Sequence, residues 1–133
     1  MKTGGCLCGA VKYFVTGAMR PVVACHCQQC RKTTGHHVAA TSAKRDAITI
    51  NGPVTWYKSS ATAQRGFCGT CGSNLFWDGP GQNLSIMAGT LNGPTGLTLA
   101  GHIFCADKGD YYEIADGTPQ SDQDDPNMTT QVL

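Results

Sequence analysis

Short apolar runs separated by polar turns make up most of the chain, and each run is about four to six residues long, as strands are. The runs that predict strands lie at residues 10–15, 37–41, 47–50, 54–57, 74–77 and 84–87. A further strand is expected around His102, near the end of the patterned region. Turn-forming sequences such as Asn51-Gly52-Pro53 and Asn92-Gly93-Pro94 bound the runs, because Gly and Pro adopt the backbone angles that turns need.

Helical periodicity is almost absent, since no window repeats apolar residues at helical spacing beyond two turns. The exception is a short helical turn predicted at residues 28–33. The sequence therefore predicts a mainly β fold of short antiparallel sheets with one short helical turn.

Two segments differ in composition. Residues 1–118 carry the apolar runs without an internal repeat, and we expect them to form one domain. Residues 119–133 are rich in Gln, Asp, Ser, Thr and Asn. Such a polar, acidic segment has little to bury, so it is expected to be a disordered or loosely docked C-terminal tail.

The chain has 133 residues and eight cysteines. A domain of this length buries roughly two thirds of its unfolded surface, so the cysteines are not needed as disulfide staples. Neither a signal peptide nor an apolar run long enough to span a membrane is visible. A cytoplasmic location is expected, and there thiols stay reduced and serve metal binding or redox chemistry. A disulfide framework is the alternative interpretation.

The formal charge of +1 gives no electrostatic basis for binding a nucleic-acid backbone. We therefore expect neither a nucleic-acid nor a membrane partner. The sequence does not indicate an oligomeric state.

The cysteines fall into three clusters and a single residue: Cys6 and Cys8; Cys25, Cys27 and Cys30; Cys68 and Cys71; and Cys105 alone. Structural zinc is usually held by four ligands, arranged as two close pairs that the fold brings together. Cys6 and Cys8 with Cys68 and Cys71 supply such a set, with Gly69 and Gly72 letting the backbone curl around the metal. Two independent thiol pairs are the alternative.

The middle cluster offers three thiolates, from Cys25, Cys27 and Cys30, and no local fourth. Three protein ligands and one exchangeable position are typical of catalytic zinc. His26 is a candidate fourth ligand, although in an extended segment it would point away from its neighbours. His102 and Cys105 are candidates from a distance, with burial in a strand as the alternative for each.

With these residues in view, the sequence resembles the glutathione-dependent formaldehyde-activating enzyme family, which includes centromere protein V. The stretches that carry the resemblance are residues 5–11, 25–32, 65–73 and 102–104. The resemblance implies a β-tent fold of sheets organised around two Zn²⁺ ions per chain. It further implies structural zinc on Cys6, Cys8, Cys68 and Cys71, and catalytic zinc on Cys25, Cys27 and Cys30.

The function expected from residues and resemblance together is that of a zinc-dependent carbon–sulfur lyase. It would add glutathione or another small thiol to an aldehyde or related electrophile, or run the reverse reaction, as an S-(hydroxymethyl)glutathione synthase does. Arg31 and Arg65 are candidate contacts for glutathione carboxylates, which guanidinium groups bind through two parallel hydrogen bonds. The alternative is a non-catalytic, zinc-stabilised protein-binding module.

Overall fold

The computed structural model describes residues 1–132 and is mainly β, as predicted. Its strands are β1 Lys2–Gly5, β2 Lys12–Val15, β3 Val22–Cys25, β4 Val38–Lys44, β5 Ile48–Asn51, β6 Val54–Lys58, β7 Gln64–Cys68, β8 Asn74–Asp78, β9 Asn83–Met87 and β10 Leu99–Ile103. Two helices, α1 Gln28–Thr34 and α2 Pro126–Thr129, accompany short 3-10 turns at Arg45–Ala47, Ala88–Thr90 and Cys105–Asp107. Neither α1 nor α2 has the length and apolar character that a membrane crossing requires.

All the runs that predicted strands overlap observed strands, and the predicted helical turn is α1. The pattern missed β1, β3 and β7. In β1 the sequence Lys-Thr-Gly-Gly has no apolar alternation, and its extended form depends on antiparallel pairing with β2. In β7 the sequence Gln-Arg-Gly-Phe-Cys places Gly66 where an apolar alternation would need a larger side chain, so no apolar run is visible.

The strands form two sheets. A three-stranded sheet has the order β1-β2-β5, and a seven-stranded sheet has the order β10-β3-β4-β9-β8-β7-β6. Pairing is antiparallel, as predicted, except that β10 runs parallel to β3, with His102 opposite Ala24. A parallel neighbour needs a long crossover connection, and the chain from β4 to β9 supplies it.

The main core lies between the two sheets. Val11, Tyr13 and Val15 alternate along the chain, so they share one face of the small sheet, and they are almost completely buried. Tyr13 packs edge-to-face on Phe76 of β8 with ring centroids 5.3 Å apart. Its hydroxyl group is 2.7 Å from Thr90 Oγ1, so the buried phenol keeps a hydrogen-bond partner.

Helix α1 begins at an unusual N-cap. The Cys27 sulfur accepts a hydrogen bond from the Cys30 N–H at 3.4 Å, in the position that Ser or Asp normally fills. The helix ends at Gly35, whose φ of 83° is the left-handed conformation that favours glycine. The Cys27 sulfur therefore caps the helix and also belongs to the middle cysteine cluster.

The segment 119–132, which its composition assigns to a tail, lies along β10. His102 N–H donates to Pro119 O at 2.9 Å, and Ser121 N–H donates to His102 O at 2.9 Å. Arg20, which is 5% exposed, connects α2 to β4 by donating from Nε to Thr129 O at 3.1 Å and from Nη1 to Ala40 O at 2.8 Å.

Replacing Arg20 by Met should loosen this segment, because the variant keeps much of the side-chain volume but loses the donors to Ala40 O and Thr129 O. We expect amide hydrogen exchange in residues 119–132 to rise by about tenfold, since a lost hydrogen bond costs roughly 1 kcal/mol. Arg45→Met is the matched control, because Arg45 contacts Asp78 and Gly79 far along the chain from this segment. Equal exchange of the segment in both variants would contradict the role given to Arg20.

Candidate metal centres

Seven of the eight cysteines gather into two groups that can each hold a metal ion. One group is Cys6, Cys8, Cys68 and Cys71, and the other is Cys25, Cys27 and Cys30. Within each group the sulfur atoms all lie within 4.8 Å of one another. Cys105 belongs to neither group.

The four-cysteine group joins the two sheets. Cys6 and Cys8 follow β1 of the small sheet, whereas Cys68 ends β7 of the large sheet and Cys71 lies in the turn to β8. The Cys6 and Cys8 sulfurs are 3.6 Å apart, and those of Cys8 and Cys68 are 3.8 Å apart. Zinc–sulfur bonds of about 2.3 Å in a tetrahedron would place sulfurs about 3.8 Å apart. The donor set therefore fits a tetrahedral zinc ion.

Hydrogen bonds to sulfur favour the thiolate form at two members of this group, Cys6 and Cys71. The Val11 N–H donates to Cys6 Sγ at 3.2 Å, and Ser73 Oγ is 3.2 Å from Cys71 Sγ. The Ser73 hydroxyl and backbone N–H lower the pKa of the Cys71 thiol to about 5. Ser73 Oγ also accepts the Leu7 N–H at 2.9 Å, so Ser73 links the two cysteine turns.

The three-cysteine group lies where β3 meets α1. Cys25 ends the strand, Cys27 caps the helix, and the buried Cys30 stands in its first turn. Hydrogen bonds with Cys27 and Cys30, and then burial, raise the pKa of the Cys25 thiol far above its ordinary value. The pKa of the Cys27 thiol is lowered because it receives hydrogen bonds from Cys25 and Cys30. Because the three sulfurs lie so close together, ionising all of them at once is unfavourable unless a cation offsets their charge.

A cavity of about 650 Å³ opens beside this group, and Cys25, Cys27 and Cys30 all line it. Arg65 lines it too and is 5% exposed. Its Nη2 is 3.7 Å from Cys30 Sγ and 3.5 Å from Gln29 Oε1. Its buried Nε finds no hydrogen-bond partner among the described residues. A positive charge therefore stands next to the sulfur cluster.

The two arginines singled out in the sequence differ in placement. Arg65 reaches the cavity, whereas Arg31 lies later in α1 and is not among the residues that line it. Arg20 and Trp77 also line the cavity. Sequence reasoning singled out neither residue as part of the site, because nothing around them carries a motif.

His26 points away from the cysteines, as expected for the residue between two that point toward a metal. It is 0% exposed, and its Nδ1 hydrogen-bonds the hydroxyl of Tyr112. Its Nε2 is 2.8 Å from His102 Nδ1, and His102 Nε2 is 2.7 Å from Asp116 Oδ2. Both histidines thus use both ring nitrogens in hydrogen bonds, and neither belongs to a metal-capable group.

This hydrogen-bonded chain has a consistent set of protons. With both rings neutral, Tyr112 donates to His26, His26 Nε2–H donates to His102, and His102 Nε2–H donates to Asp116. Burial, and then repulsion from His37 and His102, lower the pKa of His26 to about 4, in agreement with a neutral ring. These hydrogen bonds connect His26, between Cys25 and Cys27, to His102 near the end of β10.

Tyr112→Phe should destabilise the protein by about 1–3 kcal/mol, because it leaves a buried ring nitrogen of His26 without its donor. Tyr111→Phe is a matched control, since the Tyr111 hydroxyl bonds only the exposed His36, at 2.6 Å. Its cost should stay below about 0.5 kcal/mol. Urea unfolding of both variants measures the difference, and equal free energies of unfolding would refute the buried chain.

Comparison with known proteins gives a consistent assignment. The family model described as glutathione-dependent formaldehyde-activating enzyme matches residues 1–107. A Schizosaccharomyces pombe protein named as an uncharacterized lyase is 30% identical over 118 residues, which are 86% of this chain and 86% of that protein. A crystal structure of a Rhodobacter sphaeroides protein is 26% identical, with a TM-score of 0.56, and covers 73% of this chain and 97% of that one. The chain therefore belongs to the glutathione-dependent formaldehyde-activating enzyme family.

Proposed function

We propose that the protein is a zinc-dependent carbon–sulfur lyase that joins a small thiol such as glutathione to an aldehyde, or separates the two. The observation that carries the proposal is the contrast between the two cysteine groups: one has four sulfurs, and the other has three sulfurs beside a cavity. The family and the lyase name of the yeast relative support the same class of reaction.

In this proposal Cys6, Cys8, Cys68 and Cys71 hold structural zinc, and Cys25, Cys27 and Cys30 hold catalytic zinc. Thiolate is a soft ligand, and closely spaced thiolates favour zinc over hard cations such as magnesium. A three-thiolate zinc would supply an exchangeable position that accepts a further soft ligand and lowers the pKa of a bound thiol.

The protein's own groups provide positioning and charge. Three thiolates and one divalent cation carry a net charge near −1, which disfavours a metal-bound hydroxide and hence hydrolysis. The guanidinium of Arg65 next to Cys30 offsets this charge and can attract a second, anionic ligand. The cavity holds thiol and aldehyde together, and such proximity supplies a large part of a bimolecular rate gain.

The reaction is an addition without oxidation or reduction. The thiol sulfur forms a bond to the aldehyde carbon, the carbonyl π bond breaks, and the thiol proton ends on the new hydroxyl oxygen. Cleavage of the adduct reverses each of these changes. The β-tent description of the fold and a cytoplasmic location, where small thiols are reduced and abundant, belong to the same proposal.

Metal content separates the two groups. We expect two zinc ions per wild-type chain and one in Cys30→Ser, because two remaining thiolates hold zinc poorly. Cys105→Ser is the matched control and should keep both ions, since Cys105 belongs to neither group. Elemental analysis of the purified proteins measures the contents. Two zinc ions retained by Cys30→Ser, or one lost by Cys105→Ser, would contradict the assignment of roles.

Turnover is tested by exchange NMR of a thiol and an aldehyde in equilibrium with their adduct. Wild-type protein and Cys105→Ser should accelerate exchange by at least about 100-fold, as expected when two reactants are held together. Cys30→Ser should return the rate to that of the spontaneous reaction. An unchanged rate with wild-type protein across several thiols and aldehydes would favour a zinc-stabilised binding module instead.

A further inference from the structure

The wall of the cavity next to Cys25, Cys27 and Cys30 is mainly apolar. Residues from five strands form it: Val23, Val38, Ala40, Trp77, Met87 and Ile103. Cys30, Val38, Ala40 and Met87 form one buried cluster, against which Cys25, Cys27 and Trp77 pack. The three sulfurs are therefore in contact with a continuous apolar surface.

Several polar side chains also line the cavity, and they differ in whether they are free to bind a ligand. Arg65 and Gln29 stand beside Cys30, and the exposed Gln82 and Thr130 lie at the rim. Arg20 has its Nε and Nη1 committed to backbone carbonyls, so it is a weak anchor for a second carboxylate. Asp124, also in the lining, would repel one. The cavity thus combines an apolar wall with a positively charged side chain next to Cys30.

Formaldehyde has no side chain and would leave this apolar wall in contact with water. A cavity of about 650 Å³ is within the range of sites that enclose drug-sized ligands. Burial of an alkyl chain against such a wall gains about 0.8 kcal/mol per methylene group. An aldehyde with a hydrocarbon tail would cover the apolar wall, with the small thiol beside it in the same cavity.

We propose that the aldehyde substrate carries an alkyl or aryl group that occupies the apolar wall of this cavity, while its carbonyl lies at Cys25, Cys27, Cys30 and Arg65. The inference rests on the proposed function for the reacting end only. Occupation of the wall by the hydrocarbon group depends on Val38, Ala40, Trp77 and Met87 and is measurable without turnover.

Binding is measured with linear alcohols from ethanol to octanol, which cannot form thiol adducts. The chain has two tryptophans, so Trp56→Phe leaves Trp77 as the fluorescent reporter in the cavity. We expect the dissociation constant to fall about three- to fourfold per methylene group. A dissociation constant that does not change with chain length would overturn the proposal.

Two substitutions in the cavity lining, with opposite expected effects on octanol binding, test where the alcohol binds. Ala40→Leu fills part of the wall, so it should weaken octanol binding at least about fivefold and leave ethanol binding unchanged. Ser42→Ala removes a buried hydroxyl that finds no partner among the described residues, so it should strengthen octanol binding by about twofold without a cost in folding. Failure of both variants to change octanol binding would place the ligand elsewhere and overturn the proposal.

Turnover of linear aldehydes from formaldehyde to hexanal with one fixed thiol completes the test. We expect kcat/KM to rise about threefold per methylene group. Turnover that is fastest with formaldehyde would overturn the inference and leave the proposed function standing. Chain-length-dependent binding of alcohols without turnover of any aldehyde would support the inference about the cavity and overturn the proposed function.

Discussion

The mutual repulsion of ionised sulfur atoms is the constraint on which this structure depends. Thiolates less than 4.8 Å apart need a cation between them, and the fold builds two places where this condition applies. The four-cysteine group takes two members from segments next to each sheet, so a metal ion there would fasten the sheets to each other. The contact of Tyr13 with Phe76 joins the same two layers in the core. Metal binding and folding are coupled in such an arrangement.

The two groups differ in what surrounds the sulfurs. Around Cys6 and Cys71 the neighbours are a backbone N–H and a serine hydroxyl, which hydrogen-bond the sulfurs. Around Cys30 the neighbours are a buried arginine and a cavity. Under the proposed function, stability and reactivity are assigned to different parts of the large sheet, so the chemistry could vary at one group without loosening the other.

Sequence reasoning reached the cysteine groups because ligand spacing is a local property that the chain displays directly. It reached the mainly β class for the same reason, through runs bounded by turns. It could not reach β1, whose glycines are extended only because β2 pairs with them. Nor could it choose between Arg31 and Arg65. That choice depends on the tertiary structure, in which β7 brings Arg65 to the cavity and α1 does not bring Arg31 there. The bond between His26 and His102 spans 76 residues and arises from the parallel pairing of β3 with β10.

The segment after residue 118 contributes to the cavity as well as to the sheet edge, since Asp124, Thr129 and Thr130 line it. These residues are synthesised after every cysteine of both groups. On the ribosome the metal ligands are thus complete while one side of the cavity is still missing, and domains acquire structure in this N-terminal-first order. A metal ion bound at that stage would enter through a wider opening than the docked segment leaves, and its route would differ from the route by which a substrate reaches the completed cavity.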